Sequence, residues 1–414
     1  LLGFLEGEGI IDAQGRIGVA VLGSTGSVGC STLEVLALHP GRFEVVGLAA
    51  RSNGERLLEQ VRRFQPRWVV LESREAAERV EQQLRTEGSR THVRAGSRAI
   101  EELAADDAVD YVMAAISGAA GLRSTLAGAS AGKRLLLANK ESAVMAGSLL
   151  LAAARAGGSE LIPIDSEHNA IFQCLPKGFV TGTSPVGVRR LLLTASGGPF
   201  LSWSAAAMAT ATPAQACKHP RWNMGRKISV DSATLMNKGL ELIEAGVLFG
   251  LPQSQIEVVV HPQSIVHSLV EYVDGSVLAQ LAGPDMRVPI ACALAWPERM
   301  AAGVEFLELA QAGRLDFQAP DPDRFPCLRH AQEAARLGGL SCVSLNAADE
   351  VAVQAFLDRR LNFGDIPVVI EQVMSRVRGG EMAGLDAVLA ADEEARALAL
   401  EAVTRRADGQ SAYA

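Results

Sequence analysis

Asp165 and Glu167 stand two residues apart at the end of an apolar run, 161–165, with Ser166 between them. If that run is a strand, alternate side chains share a face and both carboxylates aim the same way. Two acids held together repel unless something positive separates them, and a hard divalent cation with its preference for oxygen supplies that charge. As a pair alone they fit a cation site and a solvated loop equally well. A third acid shifts the balance. In a helix read over 232–249, Asn237, Lys238 and Glu241 fall at i, i+1 and i+4 and share one polar rim. Ser232 falls at its start, where a hydroxyl and backbone N–H groups hold an anion. An ordinary amphipathic helix with solvent-facing polar residues is the other reading.

A second chemistry lies near the N-terminus. Gly23, Gly26 and Gly29, in GSTGSVG, follow a first apolar run (17–22) and open a helical pattern (28–38). Small residues at such a turn let the backbone approach a pyrophosphate, and the helix N-terminus contributes N–H groups and the positive end of its dipole. The spacing is GxxGxxG rather than GxGxxG, so the assignment rests on its place at the first strand-to-helix turn. The second strand runs into Arg51, Ser52 and Asn53, where an NAD site would carry an acid for the ribose 2′-hydroxyl. An arginine there favours the 2′-phosphate of NADP; a solvated loop arginine is the alternative.

The elements that must position these groups follow from the rhythm of apolar runs. Up to Asp165, short β-branched runs at 17–22, 44–49, 67–71, 92–95, 109–116, 134–138 and 161–165 alternate with helical patterns. That alternation predicts a parallel, doubly wound sheet. Beyond it, strands at 189–194 and 257–261, and a hairpin 267–281 around Asp274-Gly275, mix with the 232–249 helix as an α+β domain. The proline-rich stretch 319–326 reads as linker, and 328–405 is helical in pattern. The fold class is therefore α/β: a Rossmann-like NADP-binding domain, an α+β catalytic domain and a C-terminal helical domain. The boundaries expected are an N-terminal extension 1–16, nucleotide domain 17–164, catalytic domain 165–300, linker 301–326 and helical domain 327–414. Within the catalytic domain lies a Gly-, Ser- and Ala-rich stretch, 196–226, ending in His219, Trp222, Met224 and basic residues. A lid with an aromatic anchor fits it better than an idle loop.

Composition narrows the partners. Thirty-nine basic against 47 acidic residues give a net charge of −8, which disfavours nucleic acid and anionic membrane but permits a small anion in a local basic pocket. The longest apolar stretch, 142–154, is too short to span a bilayer. Glu6, Glu8 and Asp12 stand where a signal peptide would be basic. Six scattered cysteines, with no CxxC pair, suit a reducing compartment.

Taken in order, GSTGSVG, LLANKES (136–142), PIDSEHNAIFQCL (163–175), TASGGPF, HPRWNMGRKISVDSATLMNKGLELIEA, HPQSIVHSLVEY (261–272), PDMRVPIACALAWP and LNAADEVAVQAF resemble the 1-deoxy-D-xylulose 5-phosphate reductoisomerase family. The resemblance covers nearly all of the chain from 17 to about 400. It implies NADPH-dependent conversion of a phosphorylated ketose, 1-deoxy-D-xylulose 5-phosphate, to 2-C-methyl-D-erythritol 4-phosphate, with Mg²⁺ or Mn²⁺, and Co²⁺ as a further candidate. It implies that Asp165, Glu167 and Glu241 ligate the metal, and that Ser196, Ser232, Asn237 and Lys238 bind the substrate phosphate with His219 beside them. Lys140, Ser166 and Glu167 would meet the reacting end of the substrate, and Trp222 and Met224 would cover it. Thr25, Gly26, Ser27, Val28, Ser52, Asn53, Asn139, Glu141 and Gly225 match nucleotide contacts, with Arg51 near the 2′-phosphate. A homodimer, in the bacterial cytosol or a plastid stroma, is also implied.

Departures are few. Arg51-Ser52 replaces the Gly-Lys or Gly-Arg common there, and His330 and Asp349 differ from the commoner residues in the helical domain, away from the site. Two other classes compete. A semialdehyde dehydrogenase needs an activated thiolate, for which Cys174 is the nearest candidate, in an apolar helical pattern. An NADP-sensing protein needs no metal-type carboxylates.

Overall fold

The computed structural model describes residues 15–411 except Asn223 and Arg378, so all but the last two residues of the expected N-terminal extension lie outside the described residues. Contacts group the chain into two units: residues up to 139 with 150–165 and 285–304, and 140–149 with 166–284 and 305–414.

The β-branched runs of the first unit become parallel strands: β1 (Ile17–Leu22), β2 (Phe43–Ala50), β3 (Trp68–Leu71), β4 (His92–Ala95), β5 (Tyr111–Ala114), β6 (Arg134–Leu137) and β7 (Glu160–Pro163). Central strands are apolar without alternation because helices cover both faces of a doubly wound sheet; Val19, Ala20 and Val21 are fully buried. The strand order is β4-β3-β2-β1-β5-β6-β7, so the winding reverses between β1 and β5. A crevice opens at the carboxyl ends of strands where the order reverses, and the glycine turn follows β1. The Arg287–Ala295 helix packs beside the Ser27–Leu38 helix, and Arg134 donates to the carbonyl of Trp296 at 2.9 Å.

The second unit is built on β8 (Val188–Ala195), β9 (Ile256–Val260), β10 (Val266–Tyr272) and β11 (Val277–Leu281), in the order β11-β10-β8-β9. β8 and β9 run parallel and the other pairs antiparallel. The hairpin turns at Asp274-Gly275 as its sequence predicts: Gly275 takes φ +88°, and the Asp274 carboxylate accepts the Ser276 N–H at 2.8 Å. The Ser166–Cys174 helix lies against β10 and β11, and the Met236–Phe249 helix against the Pro326–Leu337 helix. Leu340–Leu357, Ile366–Arg376 and Leu385–Ser411 complete a helical bundle. The fold class is thus the expected one: a Rossmann-like sheet, an α+β middle region and C-terminal helices. Among the described residues no helix is long and apolar enough to cross a membrane.

One glycine sets how closely the bundle approaches the Met236–Phe249 helix. A Cβ on Gly239 would stand 2.3 Å from the Ala331 Cβ, and neither methyl has a rotamer to move into. Gly239→Ala should therefore overpack this contact and cost about 1–3 kcal/mol, read as a lower urea-unfolding midpoint; an unchanged midpoint would show that the helices separate freely here.

Candidate active site

The two acids that follow β7 do not share a strand face as expected. β7 ends at Pro163, and Ser166 opens a helix, so Glu167 sits in a first helical turn instead of one strand position beyond Ser166. The strand-face argument fails because the chain turns into a helix within three residues. Asp165, the last residue of the first unit, is bonded directly to Ser166. Ser166 Oγ donates to Glu167 at 2.6 Å.

Glu241 is the buried member, 1% exposed. Lys140, at the start of the Lys140–Gly157 helix, donates to Glu241 Oε1 at 2.9 Å and to Asn237 Oδ1 at 2.6 Å. Lys238 pairs with Glu241 and reaches Glu167 Oε1 at 2.8 Å, while Asn237 donates to Glu241. Within the second unit, Glu167 and Glu241 therefore share the Lys238 ammonium. Carboxylate oxygens gathered around one cation in this way suit a hard metal ion.

The helix read over 232–249 is two helices. Arg226–Thr234 ends at Leu235, whose φ of +60° is left-handed, and Met236–Phe249 begins after it. Ser232 was expected at a helix start but lies in a last turn; Asn237 and Lys238 are the residues in a first turn. Leucine carries no turn signal, which is why the break escapes a reading by pattern.

Of the 196–226 stretch, Ala205–Ala209 and Pro213–Ala216 are short helices. Gly198, at φ +68°, brings the segment after β8 against the Arg226–Thr234 helix: a Cβ there would stand 2.5 Å from the Ser232 carbonyl oxygen. The His219 Nδ1 accepts the N–H groups of Trp222 at 2.9 Å and Arg221 at 3.2 Å. Its Nε2 then carries the proton and donates to Ser196 Oγ at 2.8 Å. Burial holds the ring in that neutral form, with a pKa lowered to about 4. The Trp222 ring lies 5.9 Å from that of His267, likewise lowered to about 4 by burial. Met224 is half-buried, and Gly225 precedes the Arg226–Thr234 helix with no side-chain cap.

In the first unit, the glycine turn has the geometry its spacing predicts. Gly23, at φ +82°, is held to β2 through Ala49 O at 2.9 Å, and a Cβ on Gly29 would stand 2.3 Å from Gly23 O. Gly26 precedes the Ser27–Leu38 helix without a side-chain cap. Gly26 and Ser27 are exposed, and Thr25 and Val28 are half-buried. Arg51 is exposed, 3.9 Å from Glu72, and Ser52 lies beside it. Asn53 does structural work as well: its Oδ1 caps the next helix at Arg56 N, 3.2 Å away. Asn139 is buried and donates to Ile116 O at 2.6 Å and Gly118 O at 3.1 Å, which ties down the segment after β5. Glu141 and Gly225 belong to the second unit.

Sequence reasoning passed over two residues around this cluster, His168 and Glu244. His168, fully buried, meets the Glu241 carbonyl oxygen through Nε2 at 2.9 Å, and its Nδ1 is 3.4 Å from Glu244. Both residues lie inside quoted motifs, one position after Glu167 and one helical turn after Glu241, and that spacing is the signal. Asp349 was expected away from the site, yet it contacts Lys227 in the helix that carries Ser232. No sequence spacing reports a contact of that range.

A doubly wound sheet with its glycine turn at the switch point, in one chain with a lysine-braced carboxylate cluster, defines a nicotinamide-nucleotide-dependent oxidoreductase with a metal-type acidic centre. The model of the 1-deoxy-D-xylulose 5-phosphate reductoisomerase family matches residues 19–147, and two models of its C-terminal domains match 161–249 and 281–398. The reductoisomerase of Pseudomonas putida is 56% identical over 387 residues, covering 94% of this chain and 97% of that one. That of Pseudomonas aeruginosa is 55% identical over 389 residues, covering 94% and 98%. A crystal structure of DOX-P reductoisomerase with NADPH, fosmidomycin and magnesium superposes with TM-score 0.89 at 47% identity, over 94% of this chain and 98% of that one. The Zymomonas mobilis reductoisomerase with NADPH gives 0.86 at 44%, over 94% and 99%. The chain belongs to the 1-deoxy-D-xylulose 5-phosphate reductoisomerase family. It is accordingly an NADP-dependent oxidoreductase of isoprenoid precursor synthesis.

The His219 geometry has a pH consequence. An unfolded histidine takes up a proton near 6.5, whereas the folded ring resists until about 4. Its contribution to stability is therefore full above pH 6.5 and is lost as the pH falls toward 4. The His219 ring resonance in NMR should titrate with a midpoint near 4; a midpoint near 6.5 would mean that the ring stands in solvent.

Proposed function

We propose that this chain carries out its family's reaction, the NADPH-dependent conversion of 1-deoxy-D-xylulose 5-phosphate to 2-C-methyl-D-erythritol 4-phosphate, with Asp165, Glu167 and Glu241 as ligands of a divalent cation. The carrying observation is the buried Glu241 carboxylate braced by two lysines, one of which also holds Glu167, two residues along the chain from Asp165. Mg²⁺ is the favoured ion because magnesium is named in a crystal structure 47% identical to this chain; Mn²⁺ and Co²⁺ suit the same oxygens less strictly. Such an ion supplies Lewis acidity to a ketone oxygen and its neighbouring hydroxyl.

The protein's own groups do the rest. Lys140, hydrogen-bonded to Glu241 and Asn237, holds a proton at the reacting end of the substrate, with Ser166 and Glu167 beside it. Ser196, Ser232, Asn237 and Lys238, with His219 neutral alongside, hold the substrate phosphate, whose binding away from the reacting carbons orients them. Trp222 and Met224 cover the substrate and keep water from the aldehyde formed by rearrangement. Thr25, Gly26, Ser27 and Val28 hold the pyrophosphate of NADPH at an uncapped helix start. Arg51, with Ser52 and Asn53, meets the 2′-phosphate, and Asn139, Glu141 and Gly225 complete the nucleotide contacts. Residues 17–164 would then serve as the nucleotide domain and 165–300 as the catalytic one, with 301–326 linking to a helical domain, 327–414.

A homodimer is part of this reading, supported by the edge strand β11, where Val277 and Leu278 are each 48% exposed. The Pseudomonas relatives support a bacterial source for the enzyme, and a cytosolic location is part of the same reading.

The test is NADPH oxidation followed at 1-deoxy-D-xylulose 5-phosphate saturation, with and without Mg²⁺; turnover that ignores the metal would sink the reading. Glu241→Gln should lower kcat by about a hundredfold or more and weaken metal binding, measured by Mn²⁺ paramagnetic titration, with NADPH affinity unchanged. Unchanged metal affinity would remove Glu241 from the ligand set.

A further inference from the structure

Lys227 takes no part in the carboxylate cluster. It stands in the first turn of the Arg226–Thr234 helix, its Nζ 2.7 Å from Asp231 Oδ2 one turn on and 3.0 Å from Asp349 Oδ2 in the Leu340–Leu357 helix. Asp349 is fully buried and Asp231 nearly so. Burial pushes Asp231 well above the ordinary carboxylate range, with the charge of Asp349 adding to it, and burial also raises Asp349. Lys227 is held well above its usual range by the two acids, against the effect of its own burial. Two buried acids share this one ammonium, and a buried carboxylate that loses its cation is left uncompensated, so each acid holds to Lys227. The platform behind Asp349 is itself braced: the adjacent Glu350 accepts from Arg396 of the Leu385–Ser411 helix at 2.5 Å and from Asn346 at 3.2 Å.

The nine-residue Arg226–Thr234 helix needs such a hold. Gly225 gives it no side-chain cap, and it ends at the left-handed Leu235. Its first turn is fixed by the ion pair to Asp349, and its last turn, carrying Ser232, by the close approach of Gly198. The Asp349 pair is therefore the charged contact that sets where this helix sits against the bundle.

We propose that Asp349 is a positioning residue for the substrate phosphate: its ion pair with Lys227 places the Arg226–Thr234 helix and so the Ser232 hydroxyl. This rests on the reading of Ser232 as a phosphate contact. The charge pair acts on binding and not on the reacting carbons, so its loss should appear in KM.

Steady-state kinetics of the full chain with Mg²⁺, NADPH and 1-deoxy-D-xylulose 5-phosphate test it. Asp349→Ala should raise the substrate KM about tenfold, with kcat within about threefold and the NADPH KM unchanged. Asp349→Asn keeps an oxygen for Lys227 and should restore KM to within about threefold of the parent. Lys227→Met, which also frees Asp231, should raise KM at least as much as Asp349→Ala, and the double variant should be no worse than Lys227→Met alone. An unchanged KM in Asp349→Ala, or additive effects in the double variant, would overturn the proposal. So would a loss of folded protein by circular dichroism with KM unaltered in what remains, since that is a structural role alone. If Asp349→Ala does not fold, Lys227→Met set against Asp349→Asn decides by the same KM criterion. Ser232→Ala separates the two readings: if it leaves KM unaltered, the phosphate role of Ser232 fails; if it raises KM while Asp349→Ala does not, only the positioning inference falls.

Discussion

A carboxylate buried to 1% exposure is tolerable only with positive charge and hydrogen bonds around it, and Glu241 is that carboxylate. Lys140, Lys238 and Asn237 all converge on it. Meeting its needs places the start of one helix against the first turns of another, and Lys238 carries the constraint on to Glu167. Nothing here is a single strong bond. A buried network is costly when partly satisfied and rigid when complete, so residues scattered over a hundred positions are held to one arrangement.

Much of this was open to a reading of residues alone. The alternation up to Asp165, the glycine turn after β1 and the Asp274-Gly275 hairpin each carry their geometry in local residue types, and local types survive folding. Asp165 and Glu167 were also visible as a pair, because carboxylates at short spacing inside apolar sequence demand an explanation, and Glu241 showed on the polar rim of a helix. What escaped was the local backbone that carries them. Proline at 163 and the helix opening at Ser166 replace a strand face by a turn, while Leu235 interrupts a helix with a residue that ordinarily continues one. Long-range pairs were hidden for a different reason. The contact between Lys227 and Asp349 spans two helices far apart in sequence, and periodicity describes each helix only by itself.

Charge shows the same division between global and local. The net charge of −8 says that the surface repels polyanions, yet the groups expected to meet phosphates stand among lysines and uncapped helix starts. Acidic residues outnumber basic ones in the whole, whereas buried Glu241 is met by two lysines. Histidine adds contacts without adding charge: His219 and His267 are held neutral by burial near Trp222, so both contribute hydrogen-bonding and apolar surface at physiological pH.

The break at Leu235 has a geometric meaning that its small energetic cost, about 1–2 kcal/mol for a left-handed residue, does not convey. An unbroken helix advances by about 100° per residue, so side chains six positions apart, as Ser232 and Lys238 are, would point about 120° away from each other. A single left-handed residue resets the phase, and the two sides of the junction can then be aimed independently. Adding or removing one residue there would turn every side chain beyond it through nearly a third of a circle. The junction is thus sensitive to its length before it is sensitive to its composition.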